Sequence, residues 1–201
     1  MIKTPQEFRR DNVKELFDRF LSSQRIRLEP LTISVGETWK SDFTSVSLSF
    51  NNTQGENKEV VFVEEEAKGF VDGIFKACYK EFTKQYTSLV NIKLHDYLVK
   101  PNLDKTKTLT GSDARVKISV MVEIKDHGIA EFNCESRSIL HSSFAVILEA
   151  FQFYINCEKT FDKIQLVLED AQHRNRGDIV QNCISDLSKL TEINTYEKRK
   201  N

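Results

Sequence analysis

The order of its hydrophobic patterns constrains this chain most. Three alternating stretches are followed by one of helical spacing, and the series then runs again. "RLEPLTISVG" alternates Leu31, Ile33 and Val35 with Thr32 and Ser34, "TSVSLSF" alternates Val46, Leu48 and Phe50, and "EVVFV" follows across the turn-rich "NNTQGENK". Such a connector predicts an antiparallel hairpin between the second and third strands. Residues 64 to 82, "EEEAKGFVDGIFKACYKEF", then carry three carboxylates past a glycine into a helix whose inward stripe is Val71, Ile74, Phe75, Cys78 and Phe82. "LVNIKLHDYLV", "ARVKISVMVEI" and "IAEFNC" repeat the three strands. The middle one has Val116, Ile118, Val120, Val122 and Ile124 on one face. "SILHSSFAVILEAFQFYI" repeats the helix, with Ile139, Leu140, Ser143, Ile147, Ala150, Phe151 and Tyr154 on one side.

A β-β-β-α unit recurring once, at about 65 to 70 residues, is an internal duplication; a solenoid would need three or more copies. The predicted fold is therefore α+β, two repeated β-β-β-α units about a pseudo-twofold axis, spanning residues 25–157. An amphipathic helix precedes them within 1–24: Thr4 as N-cap, Pro5 at the first helical position and Glu7 closing a capping box lead into Val13, Leu16, Phe17, Phe20 and Leu21 on one face. The extension 158–201 reads as mostly helical. Within it "TFDKIQLVLEDAQ" fits both periods, since Ile164, Leu166 and Leu168 alternate while Phe161, Ile164 and Leu168 are helically spaced. "DIVQNCISDLSKL" reads as a helix using Ile179, Cys183, Ile184 and Leu187.

With 201 residues the chain is long enough to bury a substantial core without disulfides or metal. Lysine and arginine total 29 against 30 acidic residues, interspersed, so neither nucleic acid nor a membrane surface is an expected partner. The N-terminal residues lack the apolar core of a secretory signal, and no run of 18 apolar residues occurs. The expectation is a soluble, cytoplasmic protein. Cys78, Cys134, Cys157 and Cys183 form no C-x-x-C pair and read as thiols, three of them in apolar surroundings. His95, His127, His141 and His173 show no metal-binding spacing, and no nucleophile–base pair or phosphate loop is visible. No cofactor and no catalytic residue are assigned.

Three segments together resemble a known family. "LEPLTISVG", "KGFVDGIFKA", and "LHDYLVKP" followed by "TGSDARVKISV" and "SILHSSFAVILEA" are similar to the C-terminal regulatory domain of α-isopropylmalate synthase and its relative citramalate synthase. The most specific signal is Asp96-Tyr97 followed by Gly111-Ser112-Asp113-Ala114, and the resemblance runs from about Arg25 to Cys157. It implies two β-β-β-α units, a homodimer, and leucine or isoleucine bound as a feedback ligand. The family's catalytic barrel needs ~250 residues and has no room here. The resemblance thus implies a free-standing, non-enzymatic regulatory domain linked to branched-chain amino acid synthesis, with a synthase chain as a possible partner.

Carried over position by position, the ligand site would comprise Gly69, Val71 and Asp72 at the first helix, Leu94, Tyr97 and Pro101 on the first strand of the second unit, and Ala114 beside them. The opening N–H groups of a helix lack intrahelical partners and carry the positive end of its dipole, so they suit a ligand carboxylate. Glu64, Glu65 and Glu66 would oppose a phosphate, whereas a zwitterion brings an ammonium that they or Asp72 could accept. The same residues also read as a plain strand-to-helix corner, with Asp72 complementing the dipole and Leu94 and Tyr97 as core. Ala67, Lys68 and Phe70 stand where the family has glycine, asparagine and proline, and Phe70 is large enough to fill the pocket. A pocketless interaction subunit that dimerises, or pairs with a synthase, is the alternative.

Overall fold

The computed structural model describes residues 5–38, 40, 42–102 and 115–197. Helix α1 (Pro5–Phe20) is followed by strands β1 (Ile26–Glu37), β2 (Thr44–Gln54) and β3 (Asn57–Ala67) and by helix α2 (Phe70–Phe82). Strands β4 (Ile92–Asn102), β5 (Arg115–Ile124) and β6 (Gly128–Ser136) precede helices α3 (Ile139–His173) and α4 (Gly177–Thr191). Two antiparallel three-stranded sheets result, ordered β1-β2-β3 and β4-β5-β6, each followed by a helix, so the α+β class and the repeated unit both hold. The β2–β3 hairpin closes through a two-residue loop in which Gly55 takes a φ of +61°, the sign required at the first central position of a type II′ turn. The N-cap and capping box expected at Thr4 lie outside the described residues.

One helix serves both sheets. Between Ser142 and Phe161 almost every side chain of α3 is buried, as in a helix surrounded on all sides. Phe144 and Phe151 pack into the first unit, with ring centroids 6.2 Å from Phe50 and 5.1 Å from Phe75 respectively. Phe153 and Tyr154 each lie 6.0 Å from Phe132 on β6, and Phe153 is 5.7 Å from Phe17 of α1. Each such ring, fully buried, contributes ~1.5 to 3 kcal/mol. A three-stranded sheet does not stand by itself and needs a helix against its apolar face.

Polar groups fix how α3 sits. Asn156, fully buried, accepts a hydrogen bond from the Ile26 N–H (2.9 Å) and donates to the Ile26 carbonyl (3.0 Å) and to that of Gln152 (2.9 Å). Gln152 accepts from the Leu28 N–H at 2.7 Å. The outer edge of β1 is thereby paired, at its first residues, to helix side chains instead of a fourth strand. Two residues beyond Asn156, buried Glu158 accepts from the Thr87 N–H (3.2 Å), the Ser88 N–H (3.0 Å) and the Ser88 hydroxyl (2.7 Å), while Asn194 donates to the Ser88 carbonyl (3.0 Å). These bonds hold Thr87–Asn91 as a 3-10 turn, so Leu89 and Val90, read from sequence as strand, precede β4 instead.

The remaining differences from the sequence reading are local. Each sheet's first strand carries a one-residue bulge, at Leu31 between Pro30 and Thr32 and at His95 between Leu94 and Asp96. A bulge puts an extra residue into one strand and reverses the inward parity beyond it. Leu31, expected inward with Ile33 and Val35, is accordingly 50 % exposed. Ile139, Leu140 and Ile184, expected on buried stripes, are also exposed. The ambiguous stretch after Cys157 continues α3 without interruption: Phe161 and Ile164 are buried, Leu168 packs against them, and Leu166 faces out, so the helical period wins. The C-terminal part is helical, and α4 is tied to α1 by Arg19, which pairs with buried Asp186; Lys189, three residues on in α4, pairs with the same carboxylate. No helix among the described residues is long and apolar enough to cross a membrane.

Replacing Asn156 by leucine keeps the bulk but strands the N–H and C=O of Ile26. We expect a loss of about 1 to 3 kcal/mol for each group left unpaired, read as a lower urea midpoint at unchanged m-value.

Candidate functional site

Gly69 is the N-cap of α2, with φ −157° and ψ 156°, extended backbone open to any residue. A Cβ there would meet no atom within 4 Å, so neither conformation nor space requires glycine. The glycine that packing does require is Gly73, where a Cβ would come within 2.7 Å of Val46 Cγ2. The first intrahelical bond runs from the Gly73 N–H to the Gly69 carbonyl (2.9 Å), which leaves the preceding amides at the positive end of the dipole.

Asp72 in the first turn pairs with Lys76 four residues on at 2.7 Å, both side chains close to half exposed, and this carboxylate raises the Lys76 pKa. Glu65 is mostly buried and holds Lys80 at 2.6 Å. Glu64 accepts from the Ser47 hydroxyl at 3.3 Å. The acidic run therefore divides: Glu65 turns inward and binds a cation from the next helix, while Glu64 and Glu66 stay exposed. Ser45, Ser47, Glu64, Glu65, Glu66 and Lys80 line an open cleft of about 420 Å³ beside β2 and β3.

From the other unit comes Tyr97. The bulge at His95 turns both Leu94 and Tyr97, three residues apart, to the face that carries Val122 and Val120, their ladder partners. Leu94 is partly buried there, packed against the core, as is Val71 on α2. The Tyr97 hydroxyl is 2.8 Å from the Ser143 hydroxyl of α3, and Ser143 lies 2.6 Å from the Ile139 carbonyl. A carbonyl can only accept, so the single Ser143 proton goes to Ile139 and Tyr97 must donate to Ser143. Partial burial raises the Tyr97 pKa, keeping the phenol neutral and able to donate. On the opposite side Phe70, the first residue of α2, meets the Tyr97 ring edge-on, with centroids 6.2 Å apart and planes at 86°.

The fold thus brings together the two halves expected from sequence, the Gly69–Phe70 corner of one unit and Tyr97 of the other. Asp72 is engaged with Lys76. Pro101 stands opposite Val116 in the β4–β5 ladder, and Ala114 lies outside the described residues. Among the described residues no three His, Cys, Asp or Glu side chains gather as a metal site requires. All four cysteines are free thiols, Cys78, Cys157 and Cys183 buried and Cys134 partly so, and burial raises the pKa of each.

The sequence reading missed the buried polar residues Asn156 and Glu158. Glu158 falls on the stripe of Phe151 and Tyr154, seven and four residues earlier, and a carboxylate at such a position signals a buried acceptor with donors waiting for it. No protein-family model and no curated protein matches the chain.

Tyr97→Phe should cost about 0.5 to 1.5 kcal/mol through the lost hydrogen bond to Ser143 while the edge contact with Phe70 survives. Gly69→Ala should leave the melting temperature nearly unchanged, whereas Gly73→Ala should lower stability by ~1 to 3 kcal/mol, because stiff, buried Val46 cannot give way. Thermal melts of the three variants check these values.

Proposed function

We propose that this chain is a non-catalytic amino-acid-binding regulatory domain, related to that of α-isopropylmalate synthase and citramalate synthase, with leucine or isoleucine as its ligand. What carries the reading is the meeting of Phe70 and Tyr97, which sets the N-terminus of α2 in the first unit against β4 of the second. A ligand there has its carboxylate on the leading amides of α2 and its ammonium on Asp72, which exchanges Lys76 for it. Its branched side chain lies against Leu94 and Tyr97. Burying such a side chain contributes ~1.5 to 3 kcal/mol, the scale of a metabolite sensor that must release its ligand. On this reading the domain acts in the cytoplasm as a homodimer, alone or with a synthase chain, and supplies feedback control without performing chemistry.

The same contact also favours a second reading. Phe70 fills the corner where the resembling family has proline, and a filled corner suits an interaction subunit without a ligand. Proline and alanine are both compatible with the first position of a helix, so Phe70→Ala empties the corner without disturbing α2.

Leucine or isoleucine at about a hundred times its Kd should stabilise the wild-type chain by ~2.7 kcal/mol, or roughly 5 to 10 °C in melting temperature. Tyr97→Ala should abolish the response. A response confined to Phe70→Ala identifies the closed-corner subunit. None in either protein at millimolar concentrations refutes the site.

A further inference from the structure

Four strands lie at sheet edges, and three of them are protected. The free edge of β1 is bonded to Gln152 and Asn156 of α3, and the strand carries Pro30 and a bulge. β4 carries a bulge and Pro101. On β6 the Glu131 carbonyl accepts from Arg10 of α1, whose guanidinium lies 4.2 Å from the Phe132 ring centroid. Bulges, prolines, covering groups and charged side chains are the means by which edges avoid pairing with another chain. Among the described residues β3 has no bulge and no proline, and its charges stand at its two ends, Lys58 and Glu59 before the apolar run 60–63 and Glu64, Glu65 and Glu66 after it. Its 11 residues pair with β2 in unbroken register, contain no proline, and display Val60 at 44 % and Phe62 at 76 % exposure.

The sequence of this edge is complementary to itself. The geometry points to a homodimer formed by antiparallel pairing of β3 with the β3 of a second copy, Val61 facing Val61 on the twofold axis. In that register Lys58 stands opposite the partner's Glu64, and Val60 opposite the partner's Phe62, each pair occurring twice. Lys58, Val60, Phe62 and Glu64 all lie on the exposed face of β3, so the ion pairs flank an apolar centre on one surface. On the other face Glu59 meets the partner's Val63.

Neighbouring registers are less complementary. A shift of two residues one way brings Lys58 opposite the partner's Glu66 but sets Glu59 against the partner's Glu65 and Val60 against the partner's Glu64; a shift the other way sets Lys58 against the partner's Phe62. A shift of one brings opposite faces together. Glu64 and Glu65 thus disfavour the shift that draws them opposite Val60 and Glu59. The assembly is one six-stranded sheet, β1-β2-β3 continued into the partner's three strands, with Phe62 covered across the axis. This interface rests on the strand alone and holds whether or not an amino acid binds.

The test is a charge exchange across the axis, read by light scattering of size-separated protein over a dilution series. The wild-type chain should give twice its single-chain mass. Lys58→Glu and Glu64→Lys each place like charges opposite one another twice, and each should weaken the dimer about tenfold or more, the equivalent of ~1.4 kcal/mol. The double variant, with Glu at 58 facing Lys at 64, should restore it. Circular dichroism should show all three variants folded, since both positions are exposed. A single-chain mass for the wild type at every concentration overturns the proposal. So do single variants that dimerise like the wild type, and so does a folded double variant no tighter than the singles.

Discussion

Asn156 lies at zero exposure in the middle of α3 and directs its whole amide at backbone: its oxygen to the N–H of Ile26, its nitrogen to the carbonyls of Ile26 and Gln152. A helix and the edge of a sheet do not ordinarily share hydrogen bonds, because each satisfies its own backbone. Here the start of β1, at Ile26 and Leu28, is buried beneath the helix, and its outward groups would be orphaned without such a partner. The apolar packing of α3 supplies most of the stabilisation, but it is non-directional. Asn156, Gln152 and Glu158 set the register along the helix axis, and that register decides which rings face which sheet.

Phe144 and Phe151 can face β2 and α2 only if Phe153 and Tyr154 face β6 and α1. The two units therefore share one core instead of closing two. Tyr97 is part of the same arrangement. It reaches Ser143 on α3 from one sheet and Phe70 on α2 from the other unit, so the corner where the candidate ligand would sit is built from both copies of the repeat.

The repeated order of strands and helices was legible because its signals are periodic and local. Val46, Leu48 and Phe50 alternate without interruption, and all three are buried as the pattern requires. What a period of two cannot express is a change of parity. Nothing in "LEPLTI" announces that Leu31 is the extra residue of a bulge, and nothing in "LHDYL" announces the same of His95. Period two separates Leu94 from Tyr97, and the bulge at His95 puts them on one face. At the corner, sequence gave weight to Gly69, yet the steric requirement lies at Gly73, set by Val46 from a distant strand. The division of the glutamates between Lys80 and solvent depends on a helix that comes later in the chain, so it too was beyond local reading.

Helix α3 also has a consequence for how this chain can be divided. The duplicated pattern ends near Cys157, but the helix passes that point at full burial and carries Glu158, Thr160, Phe161 and Ile164 with it. A fragment ending at Cys157 would lose the carboxylate that receives the Thr87 and Ser88 amides, together with Asn194 on the same turn. It would also uncover the surface on which Leu190 and Ile193 are seated. The repeated pattern and the buried core therefore have different lengths. Excising the two units for study on their own, or grafting them onto another protein, would carry over the repeated pattern without the half-helix that completes its core.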